Sequence, residues 1–154
     1  MKKYLVIGNP INHSLSPELH NHWIEQNGIN AIYEKKKLDN NELKNLILEI
    51  KQENINGVNV TVPFKKAVIP YLDELSNEAE KTQAVNTIYL KDKKVIGHNT
   101  DIEGFERAIK KINFNFKNKK IFILGAGGVV PSIIYASIKM GCSEIFVSNR
   151  TKNK

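Results

Sequence analysis

The sequence predicts an α/β fold in which most strands pair in parallel. Short runs rich in β-branched and aromatic residues alternate with helical patterns along the 154 residues. A glycine cluster follows one of these runs and opens a helical pattern, as in a β-α-β unit. No apolar run approaches the ~20 residues that cross a bilayer, so we expect no membrane partner.

The elements are predicted from these patterns in chain order. Strands are expected over residues 4–8, 31–36, 56–62, 85–90, 94–98, 119–124 and 144–148. Helices are expected over residues 17–27, 41–53, 64–71, 77–83 and 101–112, and from the glycine cluster as far as residue 140.

Capping and turn residues support several of these elements. Ser16 is expected to be the N-cap of the first helix, with Pro17 at its first helical position and Gly28 just past its end. In the second helix apolar residues recur at spacings of three and four, which predicts one buried face. These residues are Leu43, Leu46, Ile47 and Ile50. Asp92 and Lys93 are expected at the turn of a hairpin.

We expect a domain boundary near residues 100–116. One α/β domain would cover residues 1–100, a connecting helix and linker residues 101–116, and a second unit residues 117–154. Thr100 is a candidate cap for the connecting helix.

The positive charge is confined to the last third of the chain. Residues 1–106 hold 13 basic and 15 acidic residues, whereas residues 107–154 hold 10 basic residues and one acid, Glu144. The net charge of +7 is therefore a −2 segment followed by a +9 segment. Only Arg107 and Arg150 are arginines, and arginine is the residue that nucleic-acid readers favour, so we expect no nucleic acid partner. A solvated lysine surface and a site for a small anion both remain open.

Cysteine and histidine usage indicates the compartment and excludes a metal site. The one cysteine, Cys142, permits no internal disulfide and suits the reducing cytoplasm. The apolar stretch over residues 4–7 is too short for a signal peptide. Four histidines and one cysteine form no convincing metal-ligand set.

Ser14 and Ser16 lie at the start of the first predicted helix. The free N–H groups and partial positive charge of a helix N-terminus favour an anion such as a carboxylate. The alternative is that Ser16 only caps the helix.

Polar side chains follow the third predicted strand. Asn59 and Thr61 face opposite to Val58, Val60 and Val62, at the end of the strand where α/β proteins bind ligands. Lys65 follows within one turn, and an amine beside a substrate hydroxyl can act as a general acid or base. The alternative is an edge strand followed by a surface lysine.

Asn86 and Asp101 are further candidates, one in the first strand of the predicted hairpin and one just after the second. Asn86 is expected inside a strand, where a buried amide needs partners. Asp101 is either an acid at a helix start or a partner of a ligand or of Lys65. A pair of Lys65 and Asp101 would hold proton-transfer groups beside a substrate hydroxyl.

Gly125-Ala126-Gly127-Gly128 lies between a predicted strand and a predicted helix. This is the context of a dinucleotide-binding loop, in which glycine lets the backbone approach a pyrophosphate. The following strand ends in Asn149-Arg150-Thr151, then Lys152 and Lys154, with no acid for the ribose hydroxyls. Basic residues there accept a 2′-phosphate, so NADP is expected rather than NAD.

The order and spacing of these motifs resemble those of the shikimate dehydrogenase family over the whole chain. The motifs are Ser14-Leu15-Ser16-Pro17, Asn59-Val60-Thr61-Val62-Pro63-Phe64-Lys65, Ala84-Val85-Asn86-Thr87, Gly97-His98-Asn99-Thr100-Asp101-Ile102-Glu103-Gly104, Gly125-Ala126-Gly127-Gly128 and Asn149-Arg150-Thr151. The resemblance implies an NADP-dependent oxidoreductase that reduces 3-dehydroshikimate to shikimate, on the pathway to chorismate and aromatic amino acids.

The resemblance also implies roles for single residues. Ser14 and Ser16 would bind the substrate carboxylate with Thr61 nearby, and Asn59, Asn86 and Asp101 would bind its hydroxyls. Lys65 would be the acid/base, with Asp101 beside it. The pyrophosphate would be held by Gly125, Ala126, Gly127, Gly128 and Val129. The 2′-phosphate end of the cofactor would be held by Asn149, Arg150, Thr151 and Lys154.

The family continues well beyond residue 154, which sets two further expectations. An N-terminal parallel-sheet substrate domain would be followed here by only the first β-α-β unit of a Rossmann nucleotide-binding domain. Two parallel strands do not bury both faces of a sheet, so a truncated or partial gene product is expected. The alternatives are a fragment that keeps only substrate binding, and an enzyme that also accepts quinate. A homodimer is possible for the complete form.

Overall fold

A computed structural model describes residues 1–151 of the chain. The first 98 residues build one six-stranded sheet with the strand order β2-β1-β3-β5-β6-β4. Its strands are β1 (Lys2–Gly8), β2 (Ala31–Lys37), β3 (Gly57–Val60), β4 (Glu74–Leu75), β5 (Thr87–Lys91) and β6 (Lys94–His98). Three of the five pairings in this sheet are parallel, so the predicted α/β class is confirmed.

Six α-helices and two short 3-10 turns complete the described elements. The helices are α1 (Ser16–Gln26), α2 (Leu43–Lys51), α3 (Phe64–Ala67), α4 (Asn77–Thr82), α5 (Asp101–Lys111) and α6 (Val130–Lys139). The 3-10 turns are Asn40–Glu42 and Ile69–Tyr71. The predicted helix over residues 41–53 is thus a 3-10 turn followed by α2, whereas the helix predicted over 64–71 is α3 followed by a 3-10 turn.

The core lies mainly on the face of the sheet that α2 covers. The predicted apolar face of α2 is confirmed, since all four of its residues are buried. They pack with alternate residues of the strands, such as Leu5 and Ile7 of β1 and Val58 of β3. The opposite face carries a smaller cluster of Val6, Ile11 and Tyr33.

A second, two-stranded sheet follows the connecting helix α5. Its strands, β7 (Lys120–Leu124) and β8 (Glu144–Ser148), pair in parallel and are joined by α6, which confirms the predicted β-α-β unit. The α5 and α6 helices are held together by a hydrogen bond of 3.1 Å from Lys139 Nζ to the buried carboxylate of Glu106.

Several predicted local details are wrong. Ser16 is the first residue of α1 rather than its N-cap; Leu15 occupies the cap position, and the Ser14 hydroxyl accepts the Ser16 N–H. Thr100 precedes α5 as predicted, but its hydroxyl bonds to Asn86 instead of capping the helix. The two-residue strand β4 was not predicted, because two residues are too few for a periodic pattern.

The end of β3 also differs from the prediction. The strand stops at Val60, although the next two residues still bond to β1 and to the residue after it: Thr61 N–H donates to Ile7 O, and Asn9 N–H donates to Val62 O. The Val62 side chain is 57% exposed instead of facing the core with Val58 and Val60. The Asp92-Lys93 turn is confirmed, and both residues have positive φ, as the favoured hairpin turns require.

Among residues 1–151 no helix is long and apolar enough to span a membrane.

Candidate active site

The candidate site residues follow strand ends that meet at one edge of the six-stranded sheet. β1 and β3 are parallel, β5 runs antiparallel to β3, and β6 antiparallel to β5. The ends of β1, β3 and β6 and the start of β5 therefore lie side by side. Two backbone hydrogen bonds continue this row: Val60 N–H to Asn86 O (2.8 Å) and Asn86 N–H to His98 O (3.0 Å).

Lys65 and Asp101 form an ion pair at this edge. The Nζ atom of Lys65 lies 2.7 Å from Oδ2 of Asp101, and the side chains are only 14% and 21% exposed. Lys65 is placed by α3, which begins directly after β3, and its backbone carbonyl accepts the Val85 N–H at 2.8 Å. Asp101 is the first residue of α5. The contact that sequence reasoning left open is thus formed.

Asn86 completes the surroundings of the Asp101 carboxylate. Its Nδ2 donates to Oδ1 of Asp101 at 2.8 Å, and its Oδ1 accepts the Thr100 N–H at 3.0 Å. Asn86 lies just before β5 rather than inside a strand, so its side chain is free to turn toward the end of β6. Each carboxylate oxygen of Asp101 therefore accepts a hydrogen bond, Oδ2 from the Lys65 ammonium group and Oδ1 from the Asn86 amide.

Asn59 connects to the same group through two residues that sequence reasoning missed. Its Oδ1 accepts the hydroxyl of Tyr33 at 2.7 Å, and its Nδ2 donates to Oγ1 of Thr87 at 3.3 Å. The Thr87 hydroxyl in turn donates to Oδ1 of Asn86 at 3.0 Å. Tyr33 and Thr87 lie in strands where aromatic and β-branched residues are expected for packing alone, so only the fold reveals their polar contacts.

Ser14, Ser16 and Thr61 lie on the neighbouring strand ends. Ser14 belongs to the loop after β1, which is joined to the end of β3 by the bonds of Thr61 and Asn9. The side chains of Ser14, Ser16 and Thr61 make no hydrogen bond to the Lys65 group in the part of the chain that the structure describes. They share its sheet edge but are not joined to it by direct contact.

Asn99 ties this site to the second sheet. It is fully buried, and its Nδ2 lies 2.9 Å from Oγ of Ser132, in the first turn of α6, and 2.8 Å from the carbonyl of Ala84. Its Oδ1 accepts the N–H of Asp101 at 2.9 Å. One side chain thus holds both the start of α5 and the start of α6.

The glycine cluster forms an open loop between β7 and α6. Gly125 has φ +104°, which favours glycine, and its N–H donates to Ser148 O at 2.7 Å. Within residues 1–151 the N–H groups of residues 126–129 donate no hydrogen bond, so they stand free at the start of a ten-residue helix. Free N–H groups at a helix N-terminus attract phosphate.

A cleft of about 570 Å³ separates this loop from the end of β8. Its walls include Gly125, Ala126 and Gly127 on one side and Asn149, Arg150 and Thr151 on the other. These six predicted cofactor-binding residues thus face one space, whereas Gly128 and Val129 do not line it. The Asn149 amide donates to Thr151 O at 2.8 Å. Lys154, also predicted to contact the cofactor, lies outside the described residues, as does Lys152.

A second cleft of about 360 Å³ joins the two groups of residues. Lys65, Val62 and Pro63 line one wall, and Gly127 and Gly128 line the other. The glycine loop and the Lys65 side chain therefore line the same cleft. The arrangement brings a loop of the kind that binds phosphate beside a Lys–Asp pair that can transfer a proton.

Comparison with known proteins decides the family. The model of the shikimate dehydrogenase substrate binding domain matches residues 6–88, more than half of the chain. The chain belongs to the shikimate dehydrogenase family. The NADP(+)-dependent shikimate dehydrogenase of Pelagibacter ubique is 60% identical over 153 residues, which are 99% of this chain and 58% of that protein.

Solved shikimate dehydrogenases share the fold over nearly the whole chain. The crystal structure from Aquifex aeolicus is 41% identical with a TM-score of 0.91, and covers 99% of this chain and 57% of its own. The enzyme from Thermus thermophilus, solved with NADP(H) and shikimate, is 34% identical with a TM-score of 0.87, covering 98% and 57%. The chain thus spans a little over half the length of its relatives in the shikimate dehydrogenase family.

Proposed function

We propose that this chain binds 3-dehydroshikimate and shikimate at the edge of the six-stranded sheet and interconverts them with NADP(H). The observation that carries the proposal is the partly buried Lys65–Asp101 pair, with Asn86 on the second carboxylate oxygen. Lys65 of this pair lines one cleft with the glycine loop, in a chain of the shikimate dehydrogenase family.

The substrate would be held by polar groups from three neighbouring strand ends. Ser14 and Ser16, with Thr61 nearby, are proposed to bind its carboxylate, which suits hydroxyls at the start of α1. Asn59, Asn86 and Asp101 are proposed to bind its hydroxyls. The hydrogen bonds that join these three residues support a single hydroxyl-binding surface.

Lys65 is proposed to move the proton. As the ketone of 3-dehydroshikimate is reduced, Lys65 Nζ would donate a proton to the oxygen that becomes the hydroxyl. Asp101, 2.7 Å from Nζ, would hold the ammonium group toward that oxygen. In the opposite direction Lys65 would take the proton from the hydroxyl oxygen of shikimate.

The residues of the second sheet fit NADP(H), which when bound supplies or accepts the hydride. The free N–H groups after β7 suit a pyrophosphate, and we assign this contact to Gly125, Ala126, Gly127, Gly128 and Val129. Asn149, Arg150, Thr151 and Lys154 are proposed to hold the adenosine 2′-phosphate. The position of Arg150 on the cleft opposite the glycine loop supports this preference for a phosphorylated ribose.

The two sheets are proposed to be two domains. The six-stranded sheet supports a substrate-binding domain over residues 1–100, and β7-α6-β8 supports a nucleotide-binding unit over residues 117–154. The segment 101–116, which contains α5, would connect them. The proposed compartment is the cytoplasm, consistent with the free Cys142, and a homodimer is proposed for the complete form.

Substrate binding without turnover is a second candidate function. Two observations favour it: the chain spans 58% of the Pelagibacter relative, and its described nucleotide unit has a sheet of only two strands. In that case the six-stranded sheet would still bind shikimate, but the cofactor would be held too loosely for hydride transfer.

One experiment separates these functions. The purified 154-residue chain, its mass verified, is mixed with shikimate and NADP, and the near-ultraviolet absorbance of NADPH is followed while calorimetry measures shikimate binding. Turnover supports the oxidoreductase, and saturable binding without turnover supports the second candidate. Absence of both in a folded sample contradicts the proposed function.

A further inference from the structure

We propose that Tyr33 is a positioning residue that orients the substrate-binding amide of Asn59 and, through Thr87, the amide of Asn86. The inference rests on the proposed function, because it assigns to Tyr33 an effect on shikimate binding. Tyr33 lies in β2. It contacts the Asn59 amide that is proposed to bind substrate, but it is not itself proposed to touch the substrate.

Both the backbone and the ring of Tyr33 are held in place. It is 4% exposed, and the side chain of Asn21 in α1 accepts the Tyr33 N–H at 2.9 Å and donates to its carbonyl at 2.8 Å. The imidazole of His20 stacks on the phenol ring, with the two ring centroids 4.1 Å apart and the ring planes at 4° to each other. The hydroxyl therefore points to Asn59 from a fixed ring.

The Tyr33 hydroxyl acts as the donor in its bond to Asn59. Its partner, at 2.7 Å, is the amide oxygen Oδ1, which only accepts. Burial raises the pKa of Tyr33 to about 12, so the phenol keeps its proton at physiological pH. With Oδ1 of Asn59 held toward Tyr33, its NH₂ group must face the opposite way.

The hydrogen bonds from Tyr33 to Asn86 run donor to acceptor in one direction, so each one sets the orientation of the next side chain. Asn59 Nδ2 donates to Thr87 Oγ1, whose single proton goes to Asn86 Oδ1. With its oxygen held by Thr87, Asn86 presents Nδ2 to the Asp101 carboxylate. The carbonyl of Asn86, 3.4 Å from Asn59 Nδ2, favours the same orientation, since a flipped amide would bring two oxygens together.

The test is the dissociation constant of shikimate for the 154-residue chain and its variants, measured by calorimetry. Tyr33→Phe removes the hydroxyl and keeps the ring, so we expect about three- to tenfold weaker binding, as for loss of one neutral hydrogen bond. Tyr89→Phe is the matched control, because Tyr89 is in a strand of the same sheet and its hydroxyl makes no hydrogen bond with the described residues. Its affinity is expected to match that of the unsubstituted chain.

A double-mutant cycle separates positioning from general stability. If Tyr33 acts through Asn59, then Tyr33→Phe has no further effect on affinity in an Asn59→Ala background. If Asn59→Ala does not fold, the same cycle is run with Asn59→Leu, which keeps the volume of the side chain and removes its amide. Equal affinity of Tyr33→Phe and the unsubstituted chain, or fully additive losses in the cycle, would overturn the inference alone. If the unsubstituted chain binds no shikimate, the proposed function fails and this inference fails with it.

Discussion

At the scale of single residues, neighbouring lysines have unlike surroundings. Lys65 is partly buried and paired with Asp101, whereas Lys66, the next residue along α3, is exposed. The difference comes from the turn of α3, which directs one side chain to the sheet edge. Charge alone therefore does not distinguish the two residues, but their contacts do.

Lys65→Ala is expected to slow NADPH formation from shikimate by about 10²–10⁴-fold, the usual contribution of a general acid or base. Lys66→Ala removes the same charge beside the same cleft but leaves the contact between Lys65 and Asp101 intact, so its rate should fall far less than that of Lys65→Ala. Initial rates under saturating substrates measure both. A Lys65→Ala rate equal to that of Lys66→Ala would exclude Lys65 as the proton donor.

The sequence predicted the residues that are proposed to carry the chemistry better than the residues that hold them in place. Lys65 and Asp101 were predicted from their positions after strands and Asn86 from its polar side chain inside one, and the structure joins the three by direct contacts. Tyr33 was missed because its partner Asn59 is 26 residues away in the sequence. Such a contact depends on the pairing of β2, β1 and β3, which no local pattern contains.

At the scale of elements, boundaries were harder to predict than element types. The strand predicted over residues 56–62 ends at Val60, and Pro63, which has no N–H to donate, keeps the ladder from continuing. Strand periodicity reports which side chains face the core, but it does not report where a ladder ends. The same limit explains why 3-10 turns were read as parts of longer helices.

Asn99 joins several elements through its side-chain hydrogen bonds, so its removal should lower the stability of the fold. Asn99→Ala would leave Ala84 O and Ser132 Oγ without their amide donor, and the Asp101 N–H without its acceptor. Buried polar groups that lose their partner cost about 1–3 kcal/mol each, so we expect the free energy of unfolding to fall by at least ~1 kcal/mol.

Chemical denaturation followed by circular dichroism measures this loss. Asn45→Ala is the control, since Asn45 is exposed on α2 and alanine favours a helix, so its stability should be equal or slightly higher. Ser132→Ala removes only one partner of Asn99, so its free energy of unfolding should lie between those of the Asn99→Ala and Asn45→Ala variants. An Asn99→Ala variant as stable as the Asn45→Ala variant would contradict the role given to Asn99.

At the scale of the whole molecule, the two sheets are covered to different degrees. The six-stranded sheet buries residues of β1, β3, β5 and β6 in one core cluster. In the two-stranded sheet Phe122 is 63% and Leu124 is 81% exposed. Among the described basic residues, Lys120 lies in β7, Lys139 ends α6, and Arg150 lines the cleft that is proposed to bind phosphate.

This difference predicts unequal hydrogen exchange. Amides of β1 and β3, such as Ile7 and Val60, should exchange more slowly than those of β7 and β8, such as Ile121 and Ile145, because few buried contacts oppose local opening of the second sheet. Exchange followed by nuclear magnetic resonance gives each rate. Equal protection of both sheets would show that they open as one unit.

The central claim is that shikimate binds at the edge of the six-stranded sheet, among Asn59, Asn86 and Asp101. The most direct measurement is a titration of the ¹⁵N-labelled chain with shikimate, followed by nuclear magnetic resonance. We predict saturable shifts of the Asn59 and Asn86 side-chain amides and of the Asp101 backbone amide, with the exposed Asn45 amide unchanged. A folded chain that shows no saturable shift, or shifts confined to other parts of the molecule, would contradict the claim.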